Sequence, residues 1–341
     1  MSLTTRLDAY RLAYDESKLD AFEHRLSNYG AFNVFKKDTP NLVPGFADIE
    51  LNRMSAARTV SVPVIAKQSY TVTGTRSCTA STYESTSAFV DTSWNTLRSA
   101  FEMIPAQYKG DYLKYEQDFN RKMFNLQKAF LTSLDNASLS ALSSNKAAYD
   151  GTSSNPYPFT GSVYQVPLTD STNVFNEAKA ILLADDLPMD GLNVIGSPRT
   201  LSLVNKYSAQ GAGNAQNLLY QLTGYNFNYT PRLSVATSDI ASMYICPEGS
   251  LAFLSWVDID AQQNFKAGIH EWTTMELPLL GITVGVHYQA TCADNSGTLT
   301  GLNASATESY EFSFDYALMN AYNSDTSNVA TPILAFHISN S

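Results

Sequence analysis

The sequence predicts an α+β protein, and three observations carry that prediction. Tyr112, Tyr115, Phe119, Met123, Leu126, Phe130 and Leu134 recur at spacings of three and four residues, the period of one helix face. From Ile240 onward the chain becomes a succession of β-rich segments. Between these patterns and the N-terminus, Arg58 to Val90 is rich in Thr, Ser, Val and Tyr and reads as a long polar hairpin or loop.

In chain order, residues 1–30 place Leu3, Leu7, Tyr10, Tyr14, Leu19, Phe22 and Leu26 mostly three or four apart, giving short amphipathic helical stretches that Gly30 is expected to end. From Asn33 to Ile49, Pro40 and Pro44 argue against helix and for an extended strap, an arm with little core of its own. In the hairpin, Val60, Val62 and Val64 share one strand face, and Tyr70 and Val72 share another. Pro63 confines its strand to a sheet edge, and Gly74 marks a flexible tip. A hairpin this long and polar is not expected to bury itself in its own subunit.

The helix expected over about 110–142 would span roughly 50 Å at 1.5 Å per residue, longer than one compact lobe needs, so it reads as a spine linking lobes. The turn-rich run AAYDGTSSNPYPFTG follows as an exit loop. Residues 172–230 form an α/β unit: a helix from Val174 to Leu183, a strand from Leu192 to Ile195, a helix begun by Ser197-Pro198 and running through Tyr207, a loop from Gln210 to Asn217, and Leu218 to Leu222. Strands are then expected at Ile240–Cys246, Leu251–Val257, His270–Glu276, Gly281–Tyr288, Tyr310–Tyr316 and Ile333–Ile338.

Composition narrows the function classes. With 341 residues the chain can bury two or three cores. Charged residues are 16% of the sequence, against about 25% in ordinary soluble domains, while Ser, Thr, Asn and 20 Tyr are abundant. Uncharged polar surface suits extensive contact between subunits, and equally a weakly charged secreted protein. The net charge is −10 and the longest Lys/Arg runs are pairs such as Lys36-Lys37, so the basic stripe of a tight nucleic-acid binder is missing. Cys78, Cys246 and Cys292 are odd in number and far apart, which argues against a disulfide framework and a zinc site. The N-terminal MSLTTRLDAYRLAYDESK mixes charge with apolar groups where a signal peptide would be hydrophobic, and no run approaches a membrane span, so assembly in a cytoplasm is expected.

No constellation for chemistry emerges. His24, His270, His287 and His337 are scattered without ligand spacing, and on its strand His270 shares a face with Trp272 while Glu271 points the other way. Neither GxSxG nor GxxxxGK[ST] occurs. Gly211-Ala212-Gly213-Asn214 follows a helix where a phosphate loop needs a strand, and Asp185-Asp186 reads as a solvated turn. The expectation is a protein that is not an enzyme, with no catalytic residue, cofactor or metal.

The order of elements, together with LNVIGSPRTLSLVNKY (Leu192–Tyr207), GSLAFLSWVDI (Gly249–Ile259), GITVGVHYQATC (Gly281–Cys292) and TPILAFHIS (Thr331–Ser339), resembles the Hong Kong 97-like fold of tailed-bacteriophage major capsid proteins over nearly the whole chain. The resemblance implies an N-terminal arm over 1–54, an extended loop over 55–91, a peripheral domain with the spine helix over 92–171, an axial domain over 172–257, and returning strands of both over 258–341. It further implies self-assembly into hexamers and pentamers of an icosahedral head, in which the hairpin lies over a neighbouring subunit. Scaffolding, portal, and decoration or head-to-tail proteins would be the other partners; double-stranded DNA would be enclosed without sequence-specific binding, and the location would be the virion, after assembly in the host cytoplasm. No coiled-coil scaffolding segment precedes the arm, so scaffolding would be separate, cleaved off or dispensable.

Candidate contacts between copies are the arm aromatics Tyr10, Tyr14, Phe32 and Phe35, the hairpin residues Val62, Lys67 and Tyr70, and Tyr112 and Phe119 of the spine. Some family members cross-link a lysine of the extended loop to a neighbour's asparagine; Lys67 lies in that region, where it also reads as a charge blunting an edge strand. Two other readings stay open: an encapsulin-like nanocompartment shell of the same fold, and a glycan-binding surface or tail adhesin. The adhesin needs aromatic platforms in exposed loops, whereas Trp94, Trp256 and Trp272 fall in or beside expected regular elements.

Overall fold

The structure, a computed structural model, describes residues 3–15, 29–42, 61–65, 74, 87–108, 110–147, 156–184, 187, 189–210, 222–293, 305–320 and 331–339. It is a mixed helix and sheet protein, as the periodicities predict. Two helices open the chain, α1 (Leu3–Asp15) and α2 (Gly30–Leu42). Strands β1 (Ser61–Ile65) and β2 (Ser87–Asp91) pair antiparallel, from Ser61 opposite Asp91 to Ile65 opposite Ser87, and among the described residues they pair with nothing else. Pro63 therefore sits in an edge strand, where a missing N–H is tolerated.

After β3 (Asn95–Met103) and a short 3₁₀ turn at Pro105–Tyr108 comes α3 (Tyr112–Ser144), 33 residues and about 50 Å long. Asp111 caps it, its Oδ1 accepting the N–H of Lys114 at 3.1 Å. The periodic face Tyr115, Phe119, Met123, Leu126, Phe130 and Leu134 is buried, as expected. Beyond it lie β4 (Tyr164–Pro167), α4 (Val174–Ala184), β5 (Leu192–Gly196), α5 (Pro198–Gln210), β6 (Tyr225–Tyr229), β7 (Asp239–Pro247) and β8 (Leu251–Trp256). The one-turn α6 (Ile259–Gln262), β9 (Lys266–Ala267), β10 (His270–Leu277), β11 (Ile282–Ala293), β12 (Ser305–Asn320) and β13 (Leu334–Ser339) complete the chain.

Two larger sheets organise these elements. One has the order β3-β12-β11-β10-β9, all antiparallel, with β8 also on β12. The 16-residue β12 pairs along one side with β11 as far as Ser313 opposite Gly285, and from Asp315 opposite Trp256 it pairs with β8. The inner face of this sheet meets α1, α2 and α3 in one core that includes Phe32, Phe130, Leu131, Val284, Tyr310 and Phe312. The second sheet, β4-β13-β7-β5-β6, is mixed: β4 with β13 and β5 with β6 are parallel, and the two middle pairings are antiparallel. Phe175, Ala178, Ile181 and Leu182 of α4 and Val204 of α5 join a second core with Val166, Val194, Ile245 and Phe336 of this sheet.

The structure corrects several expectations. Gly30 opens a helix instead of ending one: a Cβ there would lie 2.6 Å from the carbonyl oxygen of Tyr229, so the glycine permits α2 to cross β6 at its end. Pro40 lies inside α2, not in an extended strap. It falls within the last three residues, so the ring removes one intrahelical bond, and burial of Phe32, Phe35 and Thr39 holds the helix despite it. The arm also has a core: Leu3, Leu7, Tyr10, Phe32, Val34 and Phe35 are all buried. Strand β8, inside the 172–257 segment, pairs with β12 of the other sheet, because its Leu251, Phe253 and neighbours bury against α2. Residues 43–49 of the expected strap, the Asp185-Asp186 turn, and residues 211–221, which include the glycine-rich loop, lie outside the described residues. So do Leu19, Phe22, His24, Leu26, Val60, Val72 and Cys78.

Candidate assembly surfaces

The spacing Leu3, Leu7, Tyr10 gives α1 one apolar face, and that face is spent on its own chain. Arg6 fixes it: Nη1 donates to Tyr115 Oη at 2.9 Å, to Glu308 Oε2 at 2.5 Å and to the Tyr310 hydroxyl, while Tyr115 and Tyr310 (3.0 Å) also donate to Glu308. Burial opposes the Arg6 charge, but the Glu308 hydrogen bond and the surrounding hydroxyls outweigh it, and the guanidinium is held more basic than usual. Burial likewise opposes ionisation of Glu308, yet the bonds from Arg6 and Tyr115 pull its pKa below the usual value. Farther along α1, the Tyr10 hydroxyl accepts from Gln127 Nε2, whose amide oxygen accepts the Leu279 N–H at 3.0 Å.

Helix α2 is fastened as firmly. Phe32 meets Phe253 edge to face at 5.1 Å, and its N–H donates to Asp135 Oδ1 of α3 at 3.1 Å. Asp135, fully buried, also accepts from Thr230 Oγ1 at 2.5 Å and pairs with Arg232 at 3.5 Å. Thr39 Oγ1 accepts the Phe253 N–H at 2.9 Å and donates to the Phe35 carbonyl at 2.8 Å. Thus Tyr10, Phe32 and Phe35, candidates for docking on a neighbour, are each 1% exposed and hold the arm to its own chain.

The remaining candidates divide. Phe119 is buried between Tyr310 (5.2 Å) and Phe101 (5.5 Å). Tyr112 is 54% exposed and Leu113 64%, at the start of the spine helix. Tyr112 borders an open hollow of about 170 Å³ shared with Arg6, Pro105, Tyr108 and Tyr115. Val62 sits in β1 opposite Val90. Tyr14 belongs to α1, its side chain outside the described residues, and Lys67 and Tyr70 lie outside them altogether.

Sequence reading missed a ring stack on the outer face of the six-stranded sheet. Register places Trp272 of β10 directly opposite His287 of β11, and the rings stack at 4.6 Å and 9°. His270 Nδ1 lies 3.0 Å from His287 Nε2, and Phe265 leans on Trp272 at 5.6 Å. Burial and then the facing His270 lower the pKa of His287. The shared face of His270 and Trp272 was legible from their spacing; His287 comes from another strand, and only pairing register could reveal it. Among the described residues no group of three or more His, Cys, Asp or Glu is placed to hold a metal, and no helix is long and apolar enough to cross a membrane.

No family model and no curated protein matches this sequence. Solved structures do match over most of the chain. One is from Mycobacterium phage Che8, at 13% identity and a TM-score of 0.48, covering 87% of this chain and 89% of the other. Another is the capsid structure of cyanophage P-SCSP1u, at 10% identity and a TM-score of 0.46, covering 84% and 85%. The capsid of Ralstonia phage GP4 matches at 11% identity and a TM-score of 0.46, covering 84% of each chain.

Proposed function

We propose that this chain is the major capsid subunit of a tailed bacteriophage, self-assembling into hexamers and pentamers of an icosahedral head that encloses double-stranded DNA. The observation that carries the reading is the layout: a helical arm, a β1–β2 ribbon paired only with itself among the described residues, a helix of about 50 Å, and two sheets with separate cores. These elements support the resemblance read from the sequence. An isolated two-stranded ribbon is marginal in water, and a neighbouring subunit lying under it would supply the missing contact. The role is structural. An acidic, weakly charged wall suits DNA that must slide past it without adhering. Scaffolding, portal and decoration or head-to-tail proteins are the further partners this reading assigns, with assembly in the host cytoplasm.

The test is sedimentation and negative-stain microscopy of the purified chain, alone and co-expressed with a candidate scaffolding protein. Closed shells or capsomer rings are expected. A monomer under every condition overturns the proposal.

A further inference from the structure

Asp38, on the last turns of α2, is fully buried where the arm meets the five-stranded sheet. Its Oδ2 accepts two hydrogen bonds, from Asn193 Nδ2 on β5 at 3.0 Å and from the Gly249 N–H between β7 and β8 at 3.0 Å. Its other oxygen, Oδ1, is buried without a hydrogen-bonding partner, and so is Oδ1 of Asn193, itself 0% exposed. Two side chains already joined by one hydrogen bond are thus each left with an orphaned acceptor. Orphaned buried acceptors are expensive, and a pair of them on bonded partners is the pattern a single added proton removes. A carboxylic acid carries the donor that a carboxylate lacks. With an amide it closes a ring of two hydrogen bonds, N–H to one acid oxygen and O–H to the amide oxygen.

We propose that Asp38 and Asn193 form a protonated acid–amide pair, and that this proton is a catch fastening the arm helix to the five-stranded sheet, released as pH rises. The surroundings favour the neutral acid. Burial raises the Asp38 pKa to about 6 against the two donated hydrogen bonds, with Glu248 adding to the rise and Lys37 opposing it. Lys37 is occupied by Glu248 at 2.7 Å on the exposed side of the turn, so it gives Asp38 no direct counter-ion. From β7 the group facing Asp38 is the Cys246 thiol, which burial pushes up to about 12, so it is neutral. β5 contributes the uncharged Asn193, β8 presents Leu251 and Phe253, and Asp135 of the spine engages the opposite end of α2 through Phe32. The sign follows. Between the ordinary aspartate pKa of 3.8 and about 6 the folded chain holds a proton that the unfolded chain has lost, so this group's contribution falls as pH rises through that window. The inference stands apart from the capsid reading.

The experiment compares the full chain with Asp38→Asn, whose amide supplies the second donor at every pH. Thermal midpoints are read from about pH 4 to 7.5, and hydrogen exchange over 247–253, which includes the Gly249 amide, is corrected for its intrinsic pH dependence. The wild type should lose stability relative to Asp38→Asn between about pH 4 and 6. Its 247–253 segment should exchange several-fold faster at about pH 7.5 than at about pH 5, with no such change in the variant. Parallel profiles, or a variant less stable than wild type at the upper end of that range, overturn the proposal. Should Asp38→Asn not fold, infrared difference spectra of the wild type decide: a buried protonated carboxyl bleaching near pH 6 supports the catch, and carboxyls titrating only near pH 4 reject it.

Discussion

Arg6 and Glu308 are 302 residues apart, and the contact between them is the clearest case of information that a single sequence hides. Periodicity showed that α1 has an apolar face, but not which acid meets the cation on its flank, because pairing charges at such a separation requires the sheet register first. The linkage is nevertheless simple. Glu308 has a depressed pKa in the folded chain, so its contribution is complete above the ordinary glutamate value of 4.5 and is lost as pH falls through the folded value. Glu308→Gln should therefore lower the unfolding midpoint at about pH 7 and flatten its decline on acidification, read by thermal melts across pH. Asp135 is a sharper target: Asp135→Ala removes the acceptor for Phe32, Thr230 and Arg232 at once. It should lose about 3–5 kcal/mol in urea unfolding, the range for breaking a buried ion pair from one side.

Among the elements, α3 was legible to within two residues at each end because a long amphipathic period is the strongest signal a chain carries. Leu131→Ala, a fully buried position of that helix, should cost about 2–5 kcal/mol. Asp111→Ala at its N-cap should cost only about 1 kcal/mol, both measured by denaturant titration. The extended strap failed for the opposite reason. Pro40 is a local signal, and it was overruled by tertiary burial of Phe32 and Phe35, which no window of sequence contains. Strand β3 went unread because Ser99 interrupts its inward series Leu97, Phe101, Met103, and β6 because YNFNY, although it alternates with the strand period, is only five residues long. The ring stack of Trp272, His287 and His270 joins two elements, each read correctly, through a register that neither specifies.

For the whole molecule, Tyr10, Phe32 and Phe35 are already buried within the chain, so in the capsid reading contact between copies would draw on groups that stay exposed. Tyr112 and Leu113 are such groups, and neither belongs to the core. The double substitution Tyr112→Ser, Leu113→Ser should leave the circular dichroism and thermal midpoint nearly unchanged, within about 0.5 kcal/mol as for other surface positions. In the capsid reading it should also reduce shell formation in sedimentation; full assembly of the variant would show that this end of the spine is not an interface.

The position of β13 carries a consequence for how the chain is made. It lies inside the five-stranded sheet, between β4 and β7, although it occupies residues 334–339, and β12, at 305–320, is the strand to which β3, β8 and β11 are all joined. On a ribosome, both sheets therefore stay incomplete until residues 305–339 have been made. Pairings such as Tyr310 with Phe101 demand long loop closures, which makes that late step slow. A product stalled before β12 would contain neither finished sheet. Late closure acts as a timer: neither core is sealed until β12 and β13 have emerged.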